Sequence, residues 1–363
     1  FTPPSCSPSA PANEYSSPIA SPGRRFFTML GTLVQGRVSL NGAAVVAAKA
    51  GLAIAVRYGN ERRQFNGASD IEEVVLLDYQ EHQRRLLPLL ATTYAAHFAH
   101  EELLELFDRV FSGAEDTDET REDLETLAAA LKATSTWHAV NTLQTAREAC
   151  GGQGYLAENR LVGLRQDLDV YVTFEGDNTV LLQLVGKRLL TDYNREFGQV
   201  DAPAMARYVA SRATEATLHR TPLYRVAESL RDAGSPRRAA GQLREPSVQR
   251  ELLRERVEAM VADLAASLRP ATRASRERAA EIFNHHQHEL IELGKAHADF
   301  VRWQAFTDAL AQVEDADTRR VLTWLRDLYG LSTIEKNLSW YLINGRISTQ
   351  RARTVTSYIN RLL

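Results

Sequence analysis

The sequence predicts an all-α protein made of two helical-bundle domains. Gly and Pro together make up only 32 of the 363 residues, and six of the 12 prolines lie within the first 22 residues. The rest of the chain is therefore poor in residues that interrupt helices. Apolar side chains recur there at three- and four-residue spacing, as they do on the buried face of a helix. We expect an extended Pro-rich segment at 1–24, a first helical domain at 25–197 and a second at 198–363.

Composition and charge exclude several classes of protein. Hydrophobic residues make up 44% and charged residues 25% of the chain, a globular balance. The net charge of −3 gives no basic surface for nucleic acid, so we expect no nucleic-acid partner. Two cysteines, Cys6 and Cys150, are too few for a disulfide framework or a Cys-rich zinc site. Lys49 interrupts the longest apolar run, so we expect no membrane span.

The first domain should contain four helices joined by polar turns. An Ala-, Val- and Leu-rich run ends in GNERRQFNG, and the next run has leucines at helical spacing. In the third run Leu124 and Leu131 share one stripe, and Gly151 stops the helix. Asp177 or Asn178 can cap the fourth helix. The predicted ranges are 26–64, 70–110, 121–149 and 177–192, with 151–175 lacking helical periodicity.

The second domain should also be helical throughout. Val257, Val261, Leu264 and Leu268 form a clear apolar stripe in its longest run. The predicted helices lie near 203–216, 222–233, 236–269, 271–298, 300–312, 317–330 and 348–362.

The segment 150–183 carries the strongest chemical signal. Its Gly-, Asp- and Asn-rich residues join two long helices, and such irregular segments usually lie at a surface or in a cleft. Glu175 follows an apolar and aromatic run and precedes a helix start. It can be a general base in an apolar setting, or a first-turn acid that complements the helix dipole. Spacing alone favours the second interpretation.

Glycines and arginines near the helix ends leave further alternatives open. Gly151, Gly152 and Gly154 end a helix, whereas the glycines of a dinucleotide fold open one. They can permit a tight turn or close approach of a ligand. Arg62 and Arg63, at the predicted end of the first helix, suit either the helix dipole or a phosphate group.

A histidine cluster suggests a metal site at first sight. His285, His286 and His288 lie close together in the chain, but no acidic or Cys partner stands at ligand spacing. We therefore predict no metal and assign the cluster no role.

Six segments, taken in order, carry a family resemblance. They are RFFTMLGTLVQGRVSL (25–40), AIAVRYGNERRQF (53–65), LLDYQEHQRRLLPLLATTYA (76–95), CGGQGY (150–155), TFEGDNTVLLQ (173–183) and LRDLYGLSTIEKNLSWYLINGRIS (325–348). With these segments the chain resembles the acyl-CoA oxidase family, within the acyl-CoA dehydrogenase superfamily. The resemblance spans nearly the whole chain.

The resemblance implies a C-terminal portion of an FAD enzyme of fatty acid β-oxidation. Such an enzyme converts acyl-CoA to trans-2-enoyl-CoA and reduces O2 to H2O2. The implied fold is a four-helix bundle like the C-terminal domain of acyl-CoA dehydrogenases, followed by an oxidase-type helical domain. N-terminal helical and β-domains would be missing, and residues 1–24 would be the end of the β-domain. The missing domains would be supplied in cis or by a separate chain, and a homodimer is implied.

Site residues follow from the matched motifs. Glu175 would be the base that removes the α-proton of the thioester. FAD would be bound by Arg62, Gln64, Phe65, Gly151, Gly152, Asp177, Asn178 and Thr179. Acyl-CoA would contact Arg37, Phe174 and Gly176.

The sequence leaves two alternative functions open and predicts a cellular location. One alternative is an acyl-CoA dehydrogenase that passes electrons to an electron-transfer flavoprotein, although residues 200–363 favour an oxidase. The other is a non-catalytic helical interaction module. Without a signal peptide or a Ser-Lys-Leu-type peroxisomal address at the C-terminal Arg-Leu-Leu, we expect a bacterial-type cytoplasmic location.

Overall fold

The predicted all-α fold is confirmed in a computed structural model that describes residues 17–20, 25, 33–198 and 243–363. The helices are α1 (Val34–Glu61), α2 (Gln80–Phe111), α3 (Asp118–Ala149), α4 (Leu161–Leu168), α5 (Asn178–Gly198), α6 (Pro246–Leu268), α7 (Arg276–His285), α8 (Gln287–Gln312), α9 (Ala316–Lys336), α10 (Leu338–Ile343) and α11 (Thr349–Leu362). A short antiparallel hairpin pairs β1 (Arg63–Asn66) with β2 (Glu73–Val75). Single 3₁₀ turns lie at Leu76–Asp78, Gly151–Tyr155, Ala157–Asn159, Asp169–Val172 and Arg269–Arg273.

Side-chain caps explain where several helices begin. The Thr117 hydroxyl accepts a hydrogen bond from the backbone N–H of Thr120, and the Thr120 hydroxyl accepts one from the N–H of Thr117, which starts α3 with a capping box. Asp315 and Ser348 cap α9 and α11 through their own side-chain oxygens. Each cap satisfies a backbone donor that the first helical turn leaves unpaired.

Helices α1 and α3 pack closely side by side and run in the same direction. Arg37 near the start of α1 lies 3.7 Å from Glu125 near the start of α3. Further along, a Cβ added to Gly51 would stand 2.7 Å from Leu143. Small residues along this contact let the two backbones approach, with Ala44, Ala48, Ala139 and Ala146 fully buried.

Helix α8 packs against helices from the first half of the chain. A Cβ added to Gly294 of α8 would lie 2.8 Å from the carbonyl oxygen of Leu182 in α5, and one on Gly186 would lie 2.6 Å from that of Leu290. This pair of glycines lets α5 and α8 cross at close range. One apolar cluster also combines α2 alanines with Trp303 and Phe306 of α8. The division into domains at 197/198 stays a prediction.

Helix α1 is long and apolar enough to cross a membrane by length and composition, with a mean hydropathy of 1.6 in its most apolar window. In the structure 56% of that window is buried against other helices, chiefly through the contact with α3 just described. A helix at the core of a protein has this same character, so the apolar stretch is explained by packing between helices.

Several predicted boundaries are wrong. The first helix ends at Glu61 and continues as a hairpin, because the chain is extended at Arg62 and has φ +63° at Phe65. The second begins at Gln80, and the predicted break near 299 lies instead at His286. The segment 151–175 contains 3₁₀ turns and α4, and α10 was not predicted. The predicted helices at 203–216 and 222–233, the start of the one at 236–269, and residues 26–32 of the first helix lie outside the described residues.

Candidate functional site

Glu175 lies in a tight turn between the 3₁₀ turn at Asp169–Val172 and the start of α5. Its φ is +58°, and φ of the following Gly176 is +109°. A left-handed conformation is unfavourable for a residue with a side chain, by roughly 1–2 kcal/mol. Such a conformation persists only where neighbouring contacts hold it, and it is common at functional sites.

Two buried cations hold this turn by its backbone carbonyls. The Arg37 Nε–H donates to the Glu175 carbonyl oxygen at 3.1 Å. The Lys132 ammonium donates to the Gly176 carbonyl oxygen at 2.7 Å and to Asn178 Oδ1 at 2.9 Å. The Asn178 amide in turn donates to the Thr136 hydroxyl at 2.9 Å. The turn is therefore attached to α1 and α3 at successive residues.

Lys132 is fully buried, with no exposed surface. Burial lowers the pKa of its ammonium to about 8, although the nearby Asp177 carboxylate opposes the change. Sequence analysis missed this residue, because a single lysine within an Ala-rich helical run carries no signal of what its amine contacts. Its position at the base of the turn makes it part of the site.

The Glu175 carboxylate packs against the backbone of α1 at Gly36. A Cβ added to Gly36 would lie 2.5 Å from the carboxylate carbon and 2.8 Å from each carboxylate oxygen. One of these oxygens, Oε2, is buried and has no hydrogen-bond donor among the described residues. A buried carboxylate oxygen without a donor is free to accept a proton.

Arg37, assigned by resemblance to acyl-CoA binding, lies beneath this turn. Its side chain is buried, and burial lowers the pKa of its guanidinium, although the carboxylates of Glu125 and Glu175 oppose the change. Phe174, assigned to the same role, is 43% exposed beside the turn. Gly176 is half-buried, and its carbonyl oxygen already accepts from Lys132.

The start of α5 brings together three residues assigned to FAD. Asp177 Oδ1 accepts from the backbone N–H groups of Thr179 and Val180, at 2.9 and 3.3 Å, and so caps the helix. The Asn178 side chain points inward, to Lys132 and Thr136. Thr179 is exposed. Of the three side chains, those of Asp177 and Asn178 already have partners within the chain.

The other assigned FAD residues lie at the opposite end of α1. Arg62, Gln64 and Phe65 occupy the hairpin after this helix, and Phe65 is 66% exposed. The Tyr79 hydroxyl donates to the Gln64 carbonyl oxygen at 2.8 Å and fixes the hairpin. At 1.5 Å per residue, Arg62 lies roughly 37 Å along the helix axis from Arg37.

Gly151 and Gly152 share this distant end, because α1 and α3 run in the same direction. Both are exposed, and a Cβ added to either would meet nothing within 4 Å. Gly151 has φ +56°, the conformation that favours glycine. The structure thus divides the assigned FAD residues into one group beside Glu175 and another about one helix length away.

The histidine cluster contacts neighbouring helical residues. His285 Nδ1 lies 2.8 Å from the Glu281 carbonyl oxygen, and His286 Nδ1 lies 3.5 Å from Glu289. Over the described ranges, no three His, Cys, Asp or Glu side chains are grouped to hold a metal ion.

Comparison with known proteins gives consistent matches. The family model described as "Acyl-CoA oxidase, C-alpha1 domain" matches residues 30–190, and the model "Acyl-CoA oxidase" matches residues 245–363. The peroxisomal acyl-coenzyme A oxidase 3 of Arabidopsis thaliana is 34% identical over 359 residues, which is 96% of this chain and 48% of that protein. The chain spans about half the length of the curated relatives it matches over its whole extent.

Solved structures show the same likeness. Acyl-CoA oxidase 1 of Arabidopsis thaliana superposes with a TM-score of 0.76 at 25% identity, over 95% of this chain and 49% of that one. Acyl-CoA oxidase-1 of Caenorhabditis elegans, complexed with FAD and ATP, superposes with a TM-score of 0.72 at 21% identity, over 91% and 47%. At 21% identity, the match to the Caenorhabditis elegans protein shows a shared fold and no more.

The expected bacterial-type cytoplasmic location is wrong. Matching relatives from Arabidopsis thaliana and Homo sapiens are named as peroxisomal proteins. The expectation rested on the terminal residues alone, which carry less information than a match along the whole chain.

Proposed function

The chain belongs to the acyl-CoA oxidase family, and from that premise we propose that it supplies the catalytic base of an FAD-dependent acyl-CoA oxidase. The proposed reaction converts acyl-CoA to trans-2-enoyl-CoA and reduces O2 to H2O2. The observation that carries the proposal is the Glu175 carboxylate, which has a buried oxygen without a donor, on a turn held by Arg37 and Lys132.

Glu175 would remove the α-proton of the thioester. Its carboxylate lies against Gly36, where any larger side chain would displace it. The carbonyl oxygens of Glu175 and Gly176 are both held by buried cations, so the base is kept in one orientation relative to α1. A general base positioned in this way contributes about 10²–10⁴-fold to the rate.

The two groups of assigned FAD residues fit a cofactor shared between subunits. Bound FAD would accept the β-hydrogen as hydride and pass the electrons to O2. Near Glu175, the exposed Thr179 is available to the flavin of the same subunit. Arg62 and Phe65 are exposed, and a ligand can approach the backbone at Gly151 and Gly152. Because these lie roughly 37 Å away along α1, they would contact the FAD of a second subunit in a homodimer.

We also propose the organisation of the full protein. Two helical domains, at 25–197 and 198–363, are supported by separate family matches to 30–190 and 245–363. N-terminal helical and β-domains would provide the rest of the flavin and acyl-CoA pocket. The names of the relatives favour peroxisomes as the location.

The test replaces the base while keeping its shape. In the full protein carrying this chain, Glu175→Gln should lower H2O2 release from acyl-CoA by at least about 10²-fold, while the visible absorption of bound FAD is unchanged. Glu314→Gln, which makes the same substitution at an exposed carboxylate, is the matched control and should leave both readouts unchanged.

The possible results of this test distinguish an oxidase from a dehydrogenase and from a non-catalytic module. Turnover of Glu175→Gln equal to that of Glu314→Gln would refute the assignment of the base. Turnover that requires an added electron acceptor, with no H2O2 from O2, would identify a dehydrogenase. Absence of both activities in the FAD-loaded full protein would favour a non-catalytic helical module.

A further inference from the structure

A cavity lies between α2, α3, α8 and α9, away from the Glu175 turn. Its volume is about 510 Å³, within the range that holds small-molecule ligands. On α3 it is lined by Thr134, Trp137, His138 and Asn141. These lie at helical spacing on a different face of α3 from Lys132 and Thr136.

Positive charge exceeds negative charge in this cavity. The lining carries the cations Lys295, Arg302 and Lys336 and one carboxylate, that of Asp299. Lys295 is paired with Glu292 at 2.8 Å, and Asp299 with Arg256 at 3.8 Å. Across the described part of the chain, no carboxylate lies within 4 Å of the charged nitrogens of Arg302 or Lys336. Arg302 and Lys336 therefore have no directly paired carboxylate, and Asp299 attracts both only at longer range.

Buried donors on the cavity wall lack partners. Arg302 is only 3% exposed, and its Nε has no hydrogen-bond partner among the described residues. Its Nη2 donates to the Ser135 hydroxyl at 2.7 Å, which fixes the plane of the guanidinium. The buried Ser332 hydroxyl on α9 also lacks a partner. Buried polar groups are nearly always hydrogen-bonded, so these two donors beside the cavity have hydrogen-bonding capacity that the described residues leave unused.

Neighbouring titratable groups leave this positive character intact. Burial, together with the charges of Arg302 and Lys336, lowers the pKa of His138 to about 3, so the ring is neutral. The Thr93 hydroxyl donates to the Leu89 carbonyl oxygen and so accepts from His138 Nε2, at 2.8 Å. Burial raises the pKa of Asp299, although the charges of Lys336, Arg256 and Arg302 oppose the change.

We propose that this cavity binds the phosphate group of a small molecule. The guanidinium of Arg302 offers a planar fork suited to two phosphate oxygens, and Lys336 adds a point charge at the more exposed side. Trp137 and Leu89 supply an apolar wall for the remainder of the ligand. This site does not depend on Glu175 or on flavin.

The test titrates inorganic phosphate into the full chain by calorimetry, with sodium chloride holding the ionic strength constant. Saturable binding is expected. Lys336→Gln should weaken it about tenfold, a change of ~1.4 kcal/mol, and Arg302→Met should abolish it. Lys187→Gln, which removes an exposed lysine outside the cavity on α5, should bind phosphate like the parent chain.

The proposal fails if phosphate gives no saturable heat beyond the chloride control. It also fails if Lys336→Gln and Lys187→Gln bind phosphate equally. Because Lys336 is exposed, its variant tests the site even if Arg302→Met does not fold.

Discussion

Replacing Lys132 by methionine removes the ammonium that holds the turn after Glu175. The side chain keeps nearly the same length, but Gly176 O and Asn178 Oδ1 lose a charged donor at 2.7 and 2.9 Å. Hydrogen bonds to charged groups contribute about 1.5–3 kcal/mol each. The gross loss is therefore about 3–6 kcal/mol.

An opposing contribution comes from the desolvation of the ammonium. Burial lowers the Lys132 pKa from its ordinary value of 10.5 to about 8, which corresponds to about 3 kcal/mol that methionine does not carry. We expect Lys132→Met to reduce the free energy of unfolding by a net of about 0–3 kcal/mol at pH 7. Lys187→Met, at an exposed lysine, is the matched control and should change it little.

The pH dependence gives the sharper test. A lysine whose pKa is lowered on folding binds fewer protons in the folded than in the unfolded state between pH 8 and 10.5. Stability conferred by this group therefore rises with pH across that window. The neutral amine still has two N–H donors for its two acceptors.

Urea unfolding midpoints at pH 7 and pH 9.5 measure this effect. The difference between the parent chain and Lys132→Met should grow by about 2 kcal/mol at the higher pH. Other titrating groups cancel in that difference. A difference that shrinks with pH, or a variant that is as stable as Lys187→Met at pH 9.5, would refute this account of the buried lysine.

Two glycine substitutions test other close contacts. Gly36→Ala should displace the Glu175 carboxylate, since the new Cβ would lie 2.5 Å from the carboxylate carbon. The rate of H2O2 release should then fall at least about tenfold, with FAD still bound. Gly163→Ala is the control, because its added Cβ meets nothing within 4 Å, and it should leave the rate of H2O2 release unchanged. Equal rates for Gly36→Ala and Gly163→Ala would contradict the prediction. Gly330→Ala should destabilise the chain by about 1–3 kcal/mol in thermal unfolding, because its Cβ would overlap the buried Gln249 amide; an unchanged melting temperature would argue against that packing.

Much of the fold could be predicted from local patterns. The helices around Leu124 and Val261 follow from apolar residues at helical spacing, and their ends from Gly and capping residues. The hairpin at Arg63–Asn66 could not be predicted, because the strand is short, mostly exposed and without alternation of apolar and polar residues, and it resembles the end of a helix. The break at His286 was missed because no Gly or Pro marks it.

The candidate site was only partly predictable. Glu175 stood out through its motif and its neighbours in the chain. The contact of Gly36 with its carboxylate, and of Arg37 with its carbonyl, joins residues more than 130 positions apart. Periodicity and spacing describe one element at a time, so they contain no information about such contacts.

The amino-acid sequence by itself determined that the chain is helical, that it resembles acyl-CoA oxidases, and that Glu175 is its candidate base. These three features depend on residues that lie close together in the chain, within one helical turn or one motif. Only the tertiary structure decided that Lys132 supports the turn, that the assigned FAD residues form two separate groups, and that Arg302 lines a cavity between α2, α3, α8 and α9. Each depends on how helices distant in the chain pack, and this is governed by the close approach that small residues such as Gly51 and Gly294 permit.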